Sequence, residues 1–176
     1  MDSLKDRLPA ALHTDRLVLT TPTMAHAPAI AQLANNRRIH EVMSRLPFPY
    51  SEEDARLFIE EIVPGPNELC YAILLGGETF VGIVGLTFAE TTPPELGYWL
   101  GEPFWGKGYA TEAAAAVVAA ARKAGIPVLR SRALFANSGS RNVLRKVGFA
   151  EVGETIDSQG TLAGQRLAQM RLEFGR

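Results

Sequence analysis

At 176 residues, with 47% hydrophobic and 21% charged side chains, the chain has the size and make-up of one globular domain with a substantial core. A formal net charge of −1 gives no electrostatic reason to expect nucleic acid as a direct partner, and no apolar run approaches the roughly 18 residues of a membrane span. Cys70 alone allows no internal disulfide, and Met1-Asp-Ser-Leu-Lys-Asp-Arg7 lacks the apolar core of a signal peptide, so a cytoplasmic protein is expected.

In chain order, residues 1–12 are read as a flexible extension before a single domain at 13–176. Arg16 to Thr20 reads as a strand stopped near Pro22. Met24 to Asn35 has helical spacing, with Ile30, Leu33 and alanines on one side. Ser51-Glu-Glu-Asp54 is a capping-box start for a helix in which Ala55, Phe58, Ile59 and Ile62 share a face, ended by Pro64-Gly-Pro66. Tyr71 to Leu75 and Thr79 to Phe88 form a hairpin turning at Gly76-Gly77. Cys70 opens its apolar first arm and is read as core packing, since no basic neighbour would activate it. Glu95 to Leu100 is a strand, and an alanine-rich helix starts at Gly108 or Tyr109 and stops at Gly125 and Pro127. Val128 to Leu134 is the next strand. Asn137 or Ser138 caps a short helix to Val147 that Gly148 ends, and strands at Ala150 to Thr155 and Arg166 to Phe174 close a mixed α/β sheet. In the last strand Ala168, Met170, Leu172 and Phe174 alternate with Gln169, Arg171 and Glu173, so one face is buried. His13, His26 and His40 are scattered, with no metal-ligand spacing, and no metal is expected.

The run Gly101 to Glu112 places three glycines and Lys107 in front of the alanine-rich helix. The first N–H groups of a helix have no internal partner, and its dipole favours negative charge there, so this run suits a phosphate. Three phosphate motifs compete. Gly101 to Lys107 has P-loop spacing, but Gly108 stands where the magnesium-binding hydroxyl belongs. Gly106-Lys-Gly108-Tyr-Ala-Thr111 departs from the dinucleotide fingerprint at the third glycine, and no acidic residue follows at the expected distance. The third is a coenzyme A loop. Trp105-Gly-Lys-Gly108-Tyr-Ala110 resembles the Q/R-x-x-G-x-G/A loop of the GNAT acetyltransferases, departing at Trp105 as in the Rim-type branch, which acetylates N-termini of ribosomal proteins. Asn137-Ser-Gly-Ser140 through Lys146-Val-Gly148-Phe149 resembles that branch's downstream signature, as do Thr14-Asp-Arg-Leu-Val-Leu19 and Leu46-Pro-Phe-Pro49.

The resemblance implies a GNAT fold: a mostly antiparallel sheet, helices on both faces, and a parallel pair, Glu95–Leu100 and Val128–Leu134, that splays apart to admit pantetheine. It implies an acetyl-CoA-dependent N-acetyltransferase in which an amine attacks the thioester directly. The loop Gly106, Lys107, Gly108, Tyr109, Ala110 and Thr111 would bind the diphosphate, and a strand N–H near Trp99 or Leu100 would hold the oxyanion. Lys107 adds charge near phosphate or is simply solvated. Trp105 packs against the loop, the alternative being a contact to pantetheine or adenine. Asn137 binds pantetheine or only caps its helix. By the same resemblance Ser140, one turn on, is the candidate acid for the departing thiolate; many GNAT enzymes use a tyrosine there, and Arg141 to Phe149 contains none, which argues against strong general-acid catalysis. Glu95 is the candidate base, the alternative being an exposed strand-end carboxylate, and Glu112 is read as stabilising the first helical turn.

The acceptor is a peptide or protein N-terminus or a small-molecule amine, with Arg37 to Tyr50 and Asp157 to Gly164 as the substrate-facing loops. A homodimer is compatible with this reading. A CoA-binding module without turnover is the competing class, and a nucleotide hydrolase is disfavoured by Gly108.

Overall fold

The computed structural model describes residues 3–175 of the chain. Eight strands form one sheet: β1 (Ala11–His13), β2 (Leu17–Thr20), β3 (Glu68–Leu75), β4 (Thr79–Thr87), β5 (Glu95–Leu100), β6 (Val128–Leu134), β7 (Ala150–Ile156) and β8 (Arg166–Glu173). Their order is β1-β2-β3-β4-β5-β6-β8-β7, with every neighbouring pair antiparallel except β5 and β6. The N-terminal stretch holds an element the sequence reading had not assigned: β1 pairs with β2, Leu8 is buried, and the Tyr71 hydroxyl donates to the Pro9 carbonyl at 2.6 Å. Met1 and Asp2, also part of the expected flexible extension, lie outside the described residues.

Helices cover both faces. α4 (Tyr109–Lys123) and α5 (Ser138–Lys146) pack on one face over Leu19, Tyr71, Val84, Leu86, Leu96 and Met170. Alanines at 113, 114, 120 and 121 bring the α4 backbone close to that sheet. On the other face α1 (Ala27–Ala34), α2 (Arg37–His40) and α3 (Glu52–Leu57) enclose Ala72, Leu74, Phe80, Ile83 and Trp99. The α3 start is the expected box: the Ser51 hydroxyl accepts from the Asp54 N–H at 3.2 Å, and the Asp54 carboxylate accepts from the Ser51 N–H at 2.8 Å. α3 then continues as a π-turn over Phe58–Ile62. The wider turn breaks the 3.6 spacing, so Ile62 is 47% exposed instead of sharing the buried face of Ala55.

The parallel pair stops almost as soon as it begins. Only Glu95↔Arg130 and Leu96↔Ser131 are in register. The Arg130 N–H donates to the Pro94 carbonyl at 2.9 Å, and the buried Ser131 hydroxyl donates to the Leu96 carbonyl at 2.7 Å. Beyond that point β5 stays paired with β4 out to Leu100↔Gly82, and β6 stays paired with β8 out to Leu134↔Leu167. Each strand is thus held by its outer neighbour while the two part, which opens a backbone-lined wedge in mid-sheet.

Candidate active site

Backbone direction alternates along a strand. The Arg130-to-Pro94 bond turns the even residues of β5 toward the wedge, and the Gly101 N–H to Val81 carbonyl bond, 2.8 Å, turns the odd ones toward β4. The Leu100 N–H and both polar groups of Tyr98 therefore face the wedge. The Trp99 N–H faces β4, and its ring is buried with Phe80, 6.1 Å between centroids. Of the two strand donors expected for an oxyanion, Leu100 has the right direction and Trp99 does not. The Leu100 carbonyl is already taken: the Trp105 indole N–H donates to it at 2.8 Å. Trp105 therefore packs against the loop, with the Arg38 guanidinium 5.1 Å from its ring.

Gly106 and Gly108 have φ of 75° and 81°, a left-handed backbone that L side chains rarely adopt. A Cβ on Gly106 would meet nothing within 4 Å, so the loop surface there is open. Gly108 is the N-cap of α4 and offers no capping side chain. The Glu112 N–H returns to the Gly108 carbonyl at 3.1 Å, while the N–H groups of Tyr109, Ala110 and Thr111 precede the first helical bond. The Tyr109 ring lies in the core, and the Lys107 side chain is solvated.

A carboxylate stands in this first turn, and its charge is already matched. Glu112 accepts from the Thr14 hydroxyl at 2.6 Å, the Arg16 N–H at 3.1 Å and Arg16 Nε at 2.8 Å. Burial disfavours its ionisation, but the bonds from Thr14 and Arg16 outweigh that and hold it below the ordinary carboxylate value. Arg16 also donates to the Lys107 carbonyl at 2.9 Å and lies 4.6 Å from the Tyr109 ring centroid. The turn that precedes β2 thereby fixes the loop, and Glu112 does not repel an anion at the free N–H groups. A diphosphate fits here: unpaired donors, a positive helix end, and no Cβ in its path.

Asn137 caps α5, its Oδ1 accepting from the Ser140 N–H at 3.1 Å. Ser140 is half-buried, and its Oγ lies 2.9 Å from the Tyr98 hydroxyl. Sequence reasoning missed this tyrosine by looking for one only within α5. The available signal was the alternation of β5, which puts Leu96, Tyr98 and Leu100 on the α4/α5 face. Burial pushes the Tyr98 phenol above its ordinary value, and the Ser140 bond opposes the rise.

Glu95 lies on the opposite face of β5 and is not a free strand-end carboxylate. Its Oε2 is 3.2 Å from Arg130 Nη2, and its Oε1 is 3.4 Å from Arg132 Nε. Oε2 is buried and in ion-pair range yet outside hydrogen-bond geometry. Arg132 also reaches Asp157 at 3.4 Å, which ties the 157–164 loop to the site. The two loops expected to face substrate meet: a Cβ on Gly160 (φ 76°) would lie 2.8 Å from the Ser44 carbonyl. Burial pushes the Cys70 thiol up to about 12, aided by Glu68, so it stays an inert thiol in the sheet.

The family model of the acetyltransferase (GNAT) domain matches residues 16–150. No curated protein matches the chain in sequence. Among solved structures, a GNAT-family acetyltransferase from Bacillus anthracis superposes with a TM-score of 0.82 at 18% identity, covering 93% of this chain and 98% of that one. RimL, a ribosomal L7/L12 α-N-protein acetyltransferase in complex with coenzyme A, gives 0.80 at 20% identity, covering 95% and 97%. The microcin C7 self-immunity acetyltransferase MccE, in complex with acetyl-CoA and AMP, gives 0.80 at 20% identity, covering 92% and 94%.

Proposed function

The chain belongs to the GNAT acetyltransferase family, and from that premise we propose that it transfers acetyl from acetyl-CoA to the α-amino group of a peptide or protein N-terminus. Family membership makes it an acetyl-CoA-dependent N-acetyltransferase. The acceptor is our reading, and the observation that carries it is the state of the carboxylates. Glu95 and Asp157, on the acceptor side of the wedge, are both engaged by Arg130 or Arg132. A lysine-type amine with pKa about 10.4 costs roughly 4.6 kcal/mol to neutralise at pH 7, whereas an α-amine at about 7.7–8.0 costs only about 1–1.4 kcal/mol. A site whose carboxylates are committed to guanidinium groups suits the amine that needs little help.

In this reading the N–H groups of Tyr109, Ala110 and Thr111 hold the diphosphate, with the glycine loop at its side. The Leu100 N–H donates to the developing oxyanion. The amine proton leaves to water at the mouth of the wedge beside Glu95, whose charge Arg130 and Arg132 balance, and Ser140 faces the departing sulfur. Trp105 shapes the loop, Lys107 stays in solvent, and Asn137 sets the first turn of α5. The test is an acceptor screen with acetyl-CoA: peptides beginning with Ser, Ala or Met beside polyamines, amino acids and aminoglycosides, scored by thiol release and by mass of the product. Nα-acetylated peptide is expected. Turnover of a polyamine or aminoglycoside with every peptide inert would replace this acceptor class, and no turnover alongside tight CoA binding would favour a binding module.

A further inference from the structure

Tyr98 and Ser140 come from elements 42 residues apart and meet hydroxyl to hydroxyl at 2.9 Å beside the wedge. Either oxygen could be the donor in that bond, and the surroundings decide which. A tyrosine hydroxyl has one hydrogen to give, and so does a serine hydroxyl. If Ser140 donated, the Tyr98 hydrogen would need another acceptor, and among the described residues its hydroxyl bonds only Ser140. Leaving a largely buried donor unpaired is costly. If Tyr98 donates, its hydrogen is satisfied and the Ser140 hydrogen is released. The Ser140 N–H is fixed by Asn137, so the residue cannot drift to find a different partner.

We propose that Tyr98 is a positioning residue that donates to Ser140 and thereby aims the Ser140 hydrogen at the sulfur of coenzyme A in the wedge. This rests on the reading that places the thioester beside β5. A serine hydroxyl is a far weaker acid than a thiol of pKa about 8.5, so a lone serine gives the sulfur a hydrogen bond and not a proton. A serine that itself accepts from a phenol is polarised and donates more strongly. When the amine nitrogen bonds to the acyl carbon, the electron pair of the breaking C–S bond goes to sulfur. The amine proton leaves to water, and the sulfur remains a thiolate that accepts a hydrogen bond from Ser140 until solvent protonates it. No proton is permanently lost from Tyr98 or Ser140, and the chain Tyr98 to Ser140 to sulfur resets without a co-reactant.

The arrangement also explains how α5 does without a tyrosine of its own. β5 supplies the phenol from the sheet side, on the same face as Leu96 and Leu100. Tyr98→Phe keeps the ring and its packing and removes only the hydroxyl.

The experiment titrates the thiol of CoA bound to the protein, followed by thiolate absorbance against pH, in wild type, Tyr98→Phe, Ser140→Ala and the double variant. It needs no acceptor, so it is independent of which amine is the substrate. Wild type should hold the bound thiol below the free value. Each single variant should raise it by about one unit, a tenfold change in the thiolate equilibrium, and the double variant should go no further than Ser140→Ala. Calorimetry should find CoA affinity within about twofold of wild type at pH below the titration of the bound thiol and about tenfold weaker above it, since the lost contact is to the thiolate. With an acceptor in hand, Tyr98→Phe should lower kcat about tenfold at nearly constant KM for acetyl-CoA. A bound thiol that titrates as in free CoA in wild type, a Tyr98→Phe protein indistinguishable from wild type, or losses that multiply in the double variant would each overturn the proposal. An inert peptide panel with the thiol titration as expected would instead remove the acceptor reading and leave the dyad standing.

Discussion

The starts of α4 and α5 are built oppositely although each follows the open end of one of the two parting strands. α5 begins at Asn137, whose side chain accepts from the Ser140 N–H, so one of its free donors is spent inside the protein. α4 begins at a left-handed glycine with no side chain, and its first donors are left to whatever arrives. α4 is also the longer helix, 15 residues against 9, and carries its only first-turn carboxylate neutralised by Arg16. A helix start that the fold needs for itself is capped, and one reserved for an anion is kept bare and has its own acidic group balanced. The shared geometry of two helix starts therefore says little about function until the capping partners are counted.

The sharpest way to break the contrast is to fill the bare start. Gly108→Leu puts a side chain into a φ of 81° and into the anion path, with Arg16 Nη2 3.3 Å from its Cβ. CoA affinity measured by calorimetry should fall by at least about a hundredfold, some 2.7 kcal/mol. The left-handed backbone should cost a further ~1–2 kcal/mol of stability in denaturant melts. Retained affinity would show that the anion is held elsewhere.

Next, Glu112→Gln removes the group that both Thr14 and Arg16 address, and should destabilise the fold by about 1–2 kcal/mol. Glu112 titrates lower in the folded protein than in the unfolded chain, so its contribution exists above the unfolded value near 4.5 and fades as pH falls through the folded one. The stability gap between wild type and variant should be flat at neutral pH and close in acid. A gap that widened in acid would contradict the assigned sign.

Asn137→Ala should cost about 1 kcal/mol of stability, the ordinary loss of an N-cap, with CoA affinity changed less than about threefold. A large loss of affinity with no loss of stability would mean that Asn137 serves the ligand more than its helix. The smallest effect on CoA binding is expected at Gly160→Ala, where a φ of 76° and a Cβ pressed against the Ser44 carbonyl should cost about 1–2 kcal/mol of stability. Acceptor KM should rise a few-fold while CoA affinity, measured by calorimetry, stays put, because the two loops meet away from the bare helix start.

Much of this was legible in the sequence because the decisive features are local. Gly106 and Gly108 announce a backbone that only glycine adopts, Asn137 and Ser51 are caps, and the alternation of β8 gives its buried face. What escaped detection depended on contacts distant in sequence. Three residues, Ala11–His13, are too few to show period two, so β1 appeared only as a partner of β2. Ile62 looked buried because a 3.6 period was assumed across a π-turn. Glu95 looked free because nothing in its own strand reveals that Arg130 and Arg132 of β6 point at it. Tyr98 was hidden in the same way: its strand gives its face, but only the fold brings Ser140 to it.

The central claim is that bare backbone donors at the start of α4 hold the diphosphate of acetyl-CoA. A crystal structure of the protein with CoA tests it most directly. The account predicts diphosphate oxygens within about 3.2 Å of the N–H groups of Tyr109, Ala110 and Thr111, with the sulfur next to Ser140. A diphosphate bound at any other surface, with these three N–H groups left to water, would contradict it.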